Sequence, residues 1–598
     1  MNTTSTSLIT VIATTILLAS PPTAYTQSHD VHSPQTTNRP KINAPTDPGN
    51  VGFLVVAPDR GFLGNEEIRD AFAGFSEHYR SDLAFIPWHG DPLRYVTPAI
   101  EGLERIGAER VVVLPLFFAP SHSLLSRLEE QLSSLRDSVA IATPFGLSFL
   151  AEELLIERLR NILHAANNQP ALQSDGNTDT AMLVVGFGAL NDSAVDAMEQ
   201  ELGQLLEKTT TYIPNAESVA IALRHHAGGT DEQEASFLRL RNEAERLTTN
   251  YQRVLFIPLH FGQRMDSMMD LTHSLGRSLG DLSMEMVNPA LPHPLVTTWM
   301  AREANRWLKL TREEIGFVIM PHGADIDWNE SIREPLREIV QNRRVEYAFS
   351  MADSYVLSRA VTRLEERGAR GIVVLRVFSQ ASSFRDRIEF LIGLGAQPGP
   401  TMGMAPPSRI HSASIFTTVG GIENHPLFAR GLLERARELS TDPSIETVLL
   451  LGHGAGADED NQRWLDNLES IAAQMNEQGD GFADIRWANW REDWPQYRDA
   501  EEGNIMAMVQ EEEDLGRTVI VIPARTTLSG PEPDQLGEFN HVRIGTGFAP
   551  HPLFAQWVDE QLNEGVALLS DSTGWHPTDT TTTCLDRSTS PDCPIAVR

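Results

Sequence analysis

The sequence predicts an α/β protein of four tandem domains, each with a parallel sheet between two layers of helices. A short apolar strand, a glycine-bearing turn and the start of a helix recur at 53–61, 182–188, 317–323 and 448–454. Further along each copy a second apolar strand follows, at 111–118, 254–259, 372–378 and 519–523. Strands that are apolar on both faces and alternate with amphipathic helices are typical of a parallel sheet that helices cover on both sides.

The first copy gives the order of elements that the four copies share. Its predicted strands are 52–57, 83–87, 111–118 and 139–143, and its predicted helices are 65–80, 95–106, 124–135 and 147–165. Gly107 and Gly368 stand just past predicted last turns, where glycine commonly ends a helix. Four strands that alternate with four helices predict a four-stranded sheet in each domain.

The copies divide the chain into domains at 51–166, 181–310, 315–441 and 446–569. Polar stretches at 167–180 and 441–446 separate the first copy from the second and the third from the fourth. The second copy runs directly into the third between Leu308 and Gly316. A repeat of this length exceeds the unit of a solenoid and has the size of a small α/β domain.

The N-terminal region predicts export. Residues 8–19 form an unbroken run of apolar residues and threonines, followed by Pro21, Pro22 and small residues around Ala24. This run is shorter than the roughly 20 residues that span a bilayer, and it has the length of a signal-peptide core. We expect a signal peptide at 1–26, a polar linker at 27–50, and a periplasmic or extracellular protein without stable membrane insertion.

Charge and cysteine content narrow the classes of partner. The chain carries 81 acidic and 48 basic residues, for a formal net charge of −33. Nucleic acids and anionic membranes select for clustered Lys and Arg, so this balance argues against both as partners.

The two cysteines, Cys584 and Cys593, lie in a Thr/Ser-rich tail at 570–598. A disulfide between them is favoured over a thiolate metal pair, since no further cysteine accompanies them.

The tip of the first strand distinguishes the copies. Copies three and four carry His322 and His453 there, whereas copies one and two have Pro58 and Phe187. Ligands of parallel sheets bind beyond the carboxyl ends of the strands, and imidazole binds transition metals and exchanges protons near neutral pH. These positions therefore predict a metal or proton-transfer site. Four acidic residues that follow the two histidines either complete an oxygen-rich site or cap the next helix: Asp325, Asp327, Asp458 and Asp460.

The order of several short motifs resembles the sirohydrochlorin-type cobalt, iron and nickel chelatases, the CbiX-like class II chelatases. The motifs are Gly452-His453-Gly454 at a strand tip, Asn65-Glu66 and Asn329-Glu330 on the following helix, the segment 107–117 with His122 after it, and His551-Pro552-Leu553 before the last helix. The resemblance covers about 51–569. It implies chelatase-like, Rossmann-like three-layer domains arranged as two bilobal modules.

For function, the resemblance implies insertion of a metal into a tetrapyrrole. The family inserts Co²⁺, Ni²⁺ or Fe²⁺ into a sirohydrochlorin-like ring, as in cobalamin biosynthesis. It uses one histidine at the tip of the first strand and another in the loop after the third. The corresponding residues here are His322, His453 and His122, which we expect to be metal ligands and proton acceptors. No copy carries both histidines, and copy two offers His260 nearby.

Three functions of different classes stay open at this point. The chain is an exported chelatase, a non-catalytic protein that binds or scavenges metal or tetrapyrrole in the same cleft, or an interaction protein that keeps only the fold. A nucleotide cofactor is not expected, because residues 452–456 lack the spacing of a dinucleotide loop. The sequence leaves the oligomeric state open.

The other histidines have structural explanations beside functional ones. His293, His425 and His551 each precede a proline, which favours a position at helix entry over contact with a ligand. His89 and the pair 225–226 follow second strands, where a side chain either lines the cleft or faces solvent.

Overall fold

The computed structural model describes most of the chain between residues 40 and 574. The described residues are 40–47, 49–132, 138–167, 180–210, 216–224, 230–261, 279–287, 290–399, 406–479, 481–527, 533, 536–537, 539 and 542–574. The predicted signal peptide, the cysteines of the predicted disulfide and the histidine pair 225–226 lie outside these ranges. Within them, no helix is long and apolar enough to cross a lipid bilayer.

Strands and helices alternate in the first two copies, which we call repeats 1 and 2. Repeat 1 consists of β1 (Val51–Pro58), α1 (Gly61–Ser76), β2 (Ser81–Ile86), α2 (Val96–Arg105), β3 (Arg110–Pro115), α3 (Ser123–Leu132), β4 (Val139–Ile141) and α4 (Phe149–Asn167). Repeat 2 consists of β5 (Thr180–Ala189), α5 (Asp192–Thr210), β6 (Glu217–Arg224), α6 (Thr230–Asn250), β7 (Arg253–Leu259), β8 (Glu285–Met286) and α7 (Pro294–Trp307).

Repeats 3 and 4 follow the same order. Repeat 3 consists of β9 (Ile315–Pro321), α8 (Ile326–Arg333), α9 (Arg337–Asn342), β10 (Arg344–Tyr347), α10 (Ser354–Glu366), β11 (Gly371–Val377), α11 (Arg385–Leu391), β12 (Ile415–Gly420) and α12 (Pro426–Leu439). Repeat 4 consists of β13 (Glu446–Gly452), α13 (Asp458–Glu477), β14 (Asp484–Asn489), α14 (Pro495–Asp514), β15 (Thr518–Pro523), β16 (Val542–Ile544) and α15 (Pro552–Asp571).

The four sheets share one topology. Their strand orders are β2-β1-β3-β4, β6-β5-β7-β8, β10-β9-β11-β12 and β14-β13-β15-β16. Every pairing is parallel. The first strand of each repeat is buried along its whole length, as expected for an inner strand that helices cover on both faces. The predicted α/β class with four-stranded parallel sheets is confirmed.

Some element bounds in repeat 1 differ from the predicted ones. Helix α1 begins at Gly61 rather than 65, because the Asp59 carboxylate accepts a hydrogen bond from the Gly61 amide at 3.0 Å and starts the turn earlier. Strand β3 ends at Pro115 rather than 118, since Phe118 leaves the ladder and packs on Phe145 and Phe261.

Shared hydrophobic cores join the repeats in pairs. One core combines buried residues of repeats 1 and 2, and another combines those of repeats 3 and 4. We call these pairs module 1 and module 2. In each module the last helices of the two repeats contact each other, α4 with α7 and α12 with α15. Trp299 on α7 and Trp557 on α15 are fully buried there, and burying aromatic rings of this size is a large stabilising contribution. The predicted arrangement as two bilobal modules is thereby confirmed.

Histidine caps bind the repeats of a module to each other. In His293, His425 and His551 the Nδ1 atom accepts a hydrogen bond from the amide two residues further on, at 3.2 to 3.3 Å. Each Nε2 faces a glutamate on the last helix of the other repeat, at 3.4, 3.7 and 3.3 Å: Glu157, Glu560 and Glu434. Burial lowers the pKa of all three histidines. The prediction that they mark helix entry is confirmed.

A buried arginine fixes one module against the other. Arg302 on α7 is 2 % exposed and lies between the rings of Phe149 and Phe416, with its guanidinium carbon 5.0 and 5.2 Å from their centres. It donates hydrogen bonds to the carbonyl oxygens of Ser414 and Ile392 at 2.7 and 2.9 Å. Burial lowers its pKa to about 9. The carbonyls supply the partners that a buried cation requires.

The segment before β1 belongs to the same junction. Arg370 of repeat 3 forms a buried ion pair with Glu314 at 2.6 Å and donates to Asn305 of repeat 2 at 2.9 Å. The Tyr79 hydroxyl of repeat 1 donates to the same Asn305 at 2.8 Å. The Thr46 amide, within the predicted linker, donates to Glu314 at 2.6 Å. Repeats 1, 2 and 3 are thus joined by one polar network.

Glu365 is a buried carboxyl at this junction. Its Oε1 accepts hydrogen bonds from the hydroxyls of Ser412 and Ser414 at 2.6 and 3.0 Å. Burial raises the pKa of Glu365 to about 7, and the serine hydrogen bonds reduce this rise only in part. The folded protein therefore holds a proton there that an unfolded chain releases near pH 4.5.

We expect Glu365→Gln to remove a pH dependence of the free energy of unfolding. The wild type loses stability as the pH rises from 4.5 to 7, by about 3 kcal/mol in total, because the unfolded chain ionises first. Glutamine accepts the same hydrogen bonds without ionising. The free energy of unfolding of the variant should therefore exceed that of the wild type at pH 8 and equal it near pH 4.5. Urea unfolding at both pH values measures this, with the exposed neighbour Glu366→Gln as control. Parallel pH profiles for Glu365→Gln and wild type would contradict the assignment.

Candidate functional site

Strand register identifies equivalent positions at the carboxyl edges of the sheets. The first strand pairs with the third through Val56 and Pro115, Val185 and Pro258, Met320 and Arg376, and Leu451 and Pro523. Two residues beyond these positions on the first strand stand Pro58, Phe187, His322 and His453. Three residues beyond them on the third strand stand Phe118, Phe261, Ser379 and Thr526. The four edges can therefore be compared residue by residue.

Two phenylalanines close the cleft of module 1. Phe118 of repeat 1 and Phe261 of repeat 2 occupy equivalent positions, and their rings stack with centres 4.6 Å apart at an angle of 15°. Phe145 packs edge-on against both. The cavity that remains between the two edges has a volume of about 20 Å³, which is the space of about one water molecule.

His122 belongs to this closed interface. It is 6 % exposed, and its Nδ1 accepts a hydrogen bond from the Leu124 amide at 3.2 Å. Its ring lies edge-on to Phe117, with centres 4.8 Å apart, and it contacts the backbone of Gly188 in repeat 2. A Cβ atom added at Gly188 would lie 2.1 Å from His122 Nε2. In this structure His122 caps a helix and packs between repeats.

His260 lines the same cavity from the repeat 2 side. It is 5 % exposed and lies edge-on to Phe187, with ring centres 5.0 Å apart. Burial holds its pKa well below the usual range, so the ring is neutral. Module 1 thus places two packed imidazoles beside a closed cleft, of which that of His260 is neutral.

Module 2 has a polar cavity between its two repeats. Ser379 and Thr526 stand where module 1 has its stacked phenylalanines. A cavity of about 380 Å³ lies between repeat 3 and α13 of repeat 4, lined by Gln380, Ala381, Ser382, Glu423, Arg463, Asp466 and Asn467. This volume is within the range of sites for small ligands.

His322 stands at the edge of repeat 3 with few polar neighbours. Its side chain is exposed, its Nδ1 lies 2.7 Å from the Gly323 carbonyl oxygen, and its ring centre is 6.4 Å from that of Trp328. Asp325 accepts the Trp328 amide at 2.9 Å and begins α8. The helix-capping alternative for this aspartate is therefore confirmed.

His453 is surrounded by carboxylates and indole rings. The side chain is partly buried, and its Nε2 lies 3.2 Å from Asp493 Oδ2 and 3.8 Å from Glu492 Oε1. Its ring centre is 6.1 Å from that of Trp464 and 5.4 Å from that of Trp494. Trp464 follows Arg463, a residue that lines the cavity, on α13. The strand-tip histidine of repeat 4 thus has two carboxylates and two indole rings around it.

Glu492 is buried although it carries a carboxylate. Its side chain is 10 % exposed, and Oε1 lies 2.6 Å from Nη2 of Arg525, the residue after β15 that corresponds to Phe117 and His260. Within the described part of the chain, no hydrogen-bond donor reaches the buried Oε2 atom. A buried carboxylate oxygen without a partner is costly. Burial of this oxygen is therefore an energetic cost that the loop 490–494 carries.

Arg491 holds the loop that carries these groups. Its backbone is in the left-handed region with φ 54°, which is uncommon outside glycine. Its amide donates to the His453 carbonyl oxygen at 2.9 Å, and its guanidinium donates to the carbonyl oxygens of Ala455 and Gly456 at 2.7 and 2.8 Å. The same guanidinium pairs with Asp458 at 3.0 Å. Strain of this kind persists only where surrounding contacts fix it.

The three histidines predicted as metal ligands do not form one cluster. Among the described residues, no group of three or more His, Cys, Asp or Glu side chains is arranged to hold a metal ion. His122 lies in module 1, while His322 and His453 stand on different sheets of module 2. Their roles as ligands stay predictions, and the geometry favours His453 over the other two.

Sequence reasoning did not identify Glu492, Asp493, Arg491 or Arg525 as site residues. A signal exists in the segment 490–494, where acidic, basic and aromatic residues alternate directly after a buried strand. Such a composition at the carboxyl end of a parallel strand indicates a site rather than a core.

Two solved structures resemble parts of this chain. A multi-domain protein of Deinococcus radiodurans, described as structurally similar to chelatases but with two additional novel domains, is 19 % identical over 42 % of this chain and 55 % of that protein, with a TM-score of 0.31. A periplasmic binding ribose operon repressor protein from Lactobacillus acidophilus is 12 % identical over 44 % of this chain and 94 % of its own, with a TM-score of 0.21. No family model and no curated protein matches the sequence. The match spans about half the length of the Deinococcus protein.

We expect Gly188→Ala to destabilise module 1 by about 2–4 kcal/mol, because the new methyl group meets His122 and φ there is 128°. Gly203→Ala on α5 is the matched control, since an added Cβ there meets no atom within 4 Å. That control should be stabilised by up to about 1 kcal/mol through helix propensity. Thermal unfolding of both variants measures the difference, and equal midpoints would contradict the packing described for His122.

Proposed function

We propose that this protein is a chelatase whose working site lies in module 2. It inserts a divalent ion, Co²⁺, Ni²⁺ or Fe²⁺, into a sirohydrochlorin-like tetrapyrrole held in the open cleft beside repeat 4. The observation that carries this proposal is His453 at the strand tip of repeat 4, whose Nε2 lies 3.2 Å from Asp493 and 3.8 Å from Glu492. Module 1 supports the fold, since its corresponding cleft is closed.

The chemistry of metal insertion fits the groups around His453. The incoming ion must be held loosely, and two pyrrole N–H protons must leave the macrocycle. Imidazole is a borderline ligand for these ions and accepts protons near neutral pH, and Asp493 at 3.2 Å can stabilise the imidazolium that results. The indole rings of Trp464 and Trp494 lie beside the same imidazole. They offer flat apolar contacts of the kind that planar ligands prefer.

The electrostatic balance of the chain supports a cationic substrate. A formal net charge of −33 raises the local concentration of divalent cations around the protein.

We further propose that the protein is exported, because residues 8–19 form an apolar run with the length of a signal-peptide core. A chelatase in that compartment takes its metal from outside the cytoplasm.

A second candidate is binding without insertion. It is favoured by one observation, that no repeat carries both the strand-tip histidine and the histidine of the loop after the third strand. In that case the module 2 cleft retains a metal ion or a tetrapyrrole and releases it unchanged. The two candidates differ in turnover and share the site.

We expect His453→Ala to lower the rate of metal insertion by about 10²-fold or more, the usual contribution of a general base. His322→Ala is the matched control, because it removes the same residue type from the equivalent strand position of repeat 3 and should change the rate by less than about threefold. The assay follows the absorption spectrum of sirohydrochlorin with Co²⁺ or Ni²⁺. Equal rates for both variants would exclude His453 as the reacting group. Binding without turnover in the wild type would select the second candidate.

The location of the site has its own test. Ser379→Phe with Thr526→Phe rebuilds in module 2 the aromatic pair that closes module 1. We expect this double variant to lose tetrapyrrole binding by at least tenfold, since rings at these register positions close module 2 as Phe118 and Phe261 close module 1. Ser379→Ala with Thr526→Val removes the hydroxyls without adding rings and should bind as the wild type does. Spectroscopic titration measures both, and undiminished binding in the phenylalanine variant would place the ligand elsewhere.

A further inference from the structure

We propose that the polar cavity of module 2 is a ligand site of its own, shaped for a small uncharged polyhydroxylated molecule such as a monosaccharide. The cavity lies between repeat 3 and α13 and has a volume of about 380 Å³, which is enough for a ligand of this size. His453, Asp493 and Glu492 are not among the described residues that line it. Ligand binding here is therefore separate from the function proposed above and does not depend on it.

A buried side-chain amide without a protein partner lines this cavity. Gln380 is one of the lining residues and is only 8 % exposed. Among the described residues, none donates a hydrogen bond to its side-chain amide or accepts one from it. Buried amides are almost always paired with protein, water or ligand, because an unpaired one is costly. The Gln380 amide therefore offers an acceptor and two donors to a molecule in the cavity.

The loop that carries Gln380 is fixed by an arginine that only repeat 3 has at this position. Arg376, at the end of β11, is 2 % exposed and donates hydrogen bonds to the Ala381 carbonyl oxygen and, at 3.1 Å, to the Gly420 carbonyl oxygen. The other three repeats have a proline at the same register position: Pro115, Pro258 and Pro523. Arg376 thereby ties the loop after β11 to the end of β12, a link that a proline side chain cannot form.

The loop after β12 holds the same wall from the other side. Glu423 accepts hydrogen bonds from the Ala381 amide and from the Asn467 side chain on α13. Its backbone is left-handed with φ 49°, and a Cβ atom added at Gly421 would lie 2.3 Å from Ala381 Cα. Strain of this kind persists only where surrounding contacts fix it. The wall of the cavity is therefore formed before a ligand arrives, which lowers the entropic cost of binding.

The charged side chains of the lining already have protein partners. Glu423 accepts hydrogen bonds on both of its carboxylate oxygens. Arg463 pairs with Asp460, and Asp466 accepts a hydrogen bond from Gln462 at 2.8 Å. Because the lining includes two acidic side chains and one basic side chain, a ligand of either charge would meet its own sign. The electrostatics of the cavity therefore favour an uncharged ligand.

The uncharged groups determine the chemical class of the ligand. Among the described residues, no group forms a hydrogen bond with the side chains of Gln380 and Ser382, which both line the cavity. An amide and a hydroxyl each donate and accept, and the hydroxyl groups of a polyol have the same dual character. A molecule with several hydroxyls can therefore satisfy both side chains. Neutral hydrogen bonds without an ion pair indicate weak binding, with a dissociation constant of about 0.1–10 mM.

Saturation-transfer difference NMR on the whole protein tests this, with D-glucose, D-galactose and myo-inositol as probes. We expect at least one probe to receive saturation, with a dissociation constant that rises at least about fivefold in Gln380→Met, because this change removes the amide at similar volume. No saturation of any probe at concentrations up to about 50 mM would overturn the proposal, since that limit lies above the expected dissociation constant.

Two further variants make the result independent of how Gln380→Met folds. Gln474→Met is the matched control, because Gln474 lies on α13 and donates to the Asn424 carbonyl oxygen at 2.8 Å, outside the described lining of the cavity. It should bind the probe as the wild type does, and an equal loss of binding there would contradict a specific role of Gln380. Ser382→Trp places a large ring at an exposed lining position and should abolish the signal. Binding that survives this change would place the probe elsewhere and overturn the proposal.

Insertion of Co²⁺ into sirohydrochlorin is assayed separately, with and without saturating probe. An unchanged insertion rate supports a cavity site that is separate from His453. Displacement of the probe by sirohydrochlorin would assign the cavity to the macrocycle and overturn the proposal. Probe binding in a protein that inserts no metal would support the cavity site and remove the chelatase proposal alone.

Discussion

Burial of the last helices between paired repeats is the interaction on which the rest of the structure depends. A single repeat leaves one helical layer without apolar cover, and a second repeat supplies that cover. Trp299 and Trp557 are fully buried in the two shared cores as a result. Because the pair packs along these helices, residues from the carboxyl edges of both sheets line one cleft in module 1. The clefts form because the cores pack in this way. The residues that line the clefts can therefore differ between modules while the cores stay the same.

The repeats differ in a few residues that occupy equivalent positions in the strand register. The stacked Phe118 and Phe261 turn one cleft into additional core, whereas Ser379 and Thr526 stand at the same register positions in module 2. The strand-tip histidines differ in a similar way. His453 has two carboxylates within 3.8 Å, whereas His322 is exposed and its Nδ1 lies 2.7 Å from the Gly323 carbonyl oxygen. The same strand topology thus carries a closed cleft in module 1, an exposed histidine in repeat 3 and a histidine with two carboxylates in repeat 4.

The fold could be predicted from the sequence because its signals are local and repeated. Apolar strands mark all four copies, and the prolines at 294, 426 and 552 mark the last three, without knowledge of contacts. The site could be predicted only at His453. Glu492 and Arg525 meet because β14 and β15 both pair with β13, and pairing between distant strands has no local signature. His122 is equally compatible with a ligand or a cap by its sequence, and its contact with Gly188 of another repeat decides for packing.

The closed cleft of module 1 also bears on the number of ligands that the proposed function assigns to one chain. A chain with two equivalent modules would take up two ligands and could show homotropic cooperativity between them. Since aromatic rings fill the cleft of module 1, the function proposed above predicts saturation at one ligand per chain and a hyperbolic binding isotherm. Under that proposal the duplication adds a second core without a second ligand site.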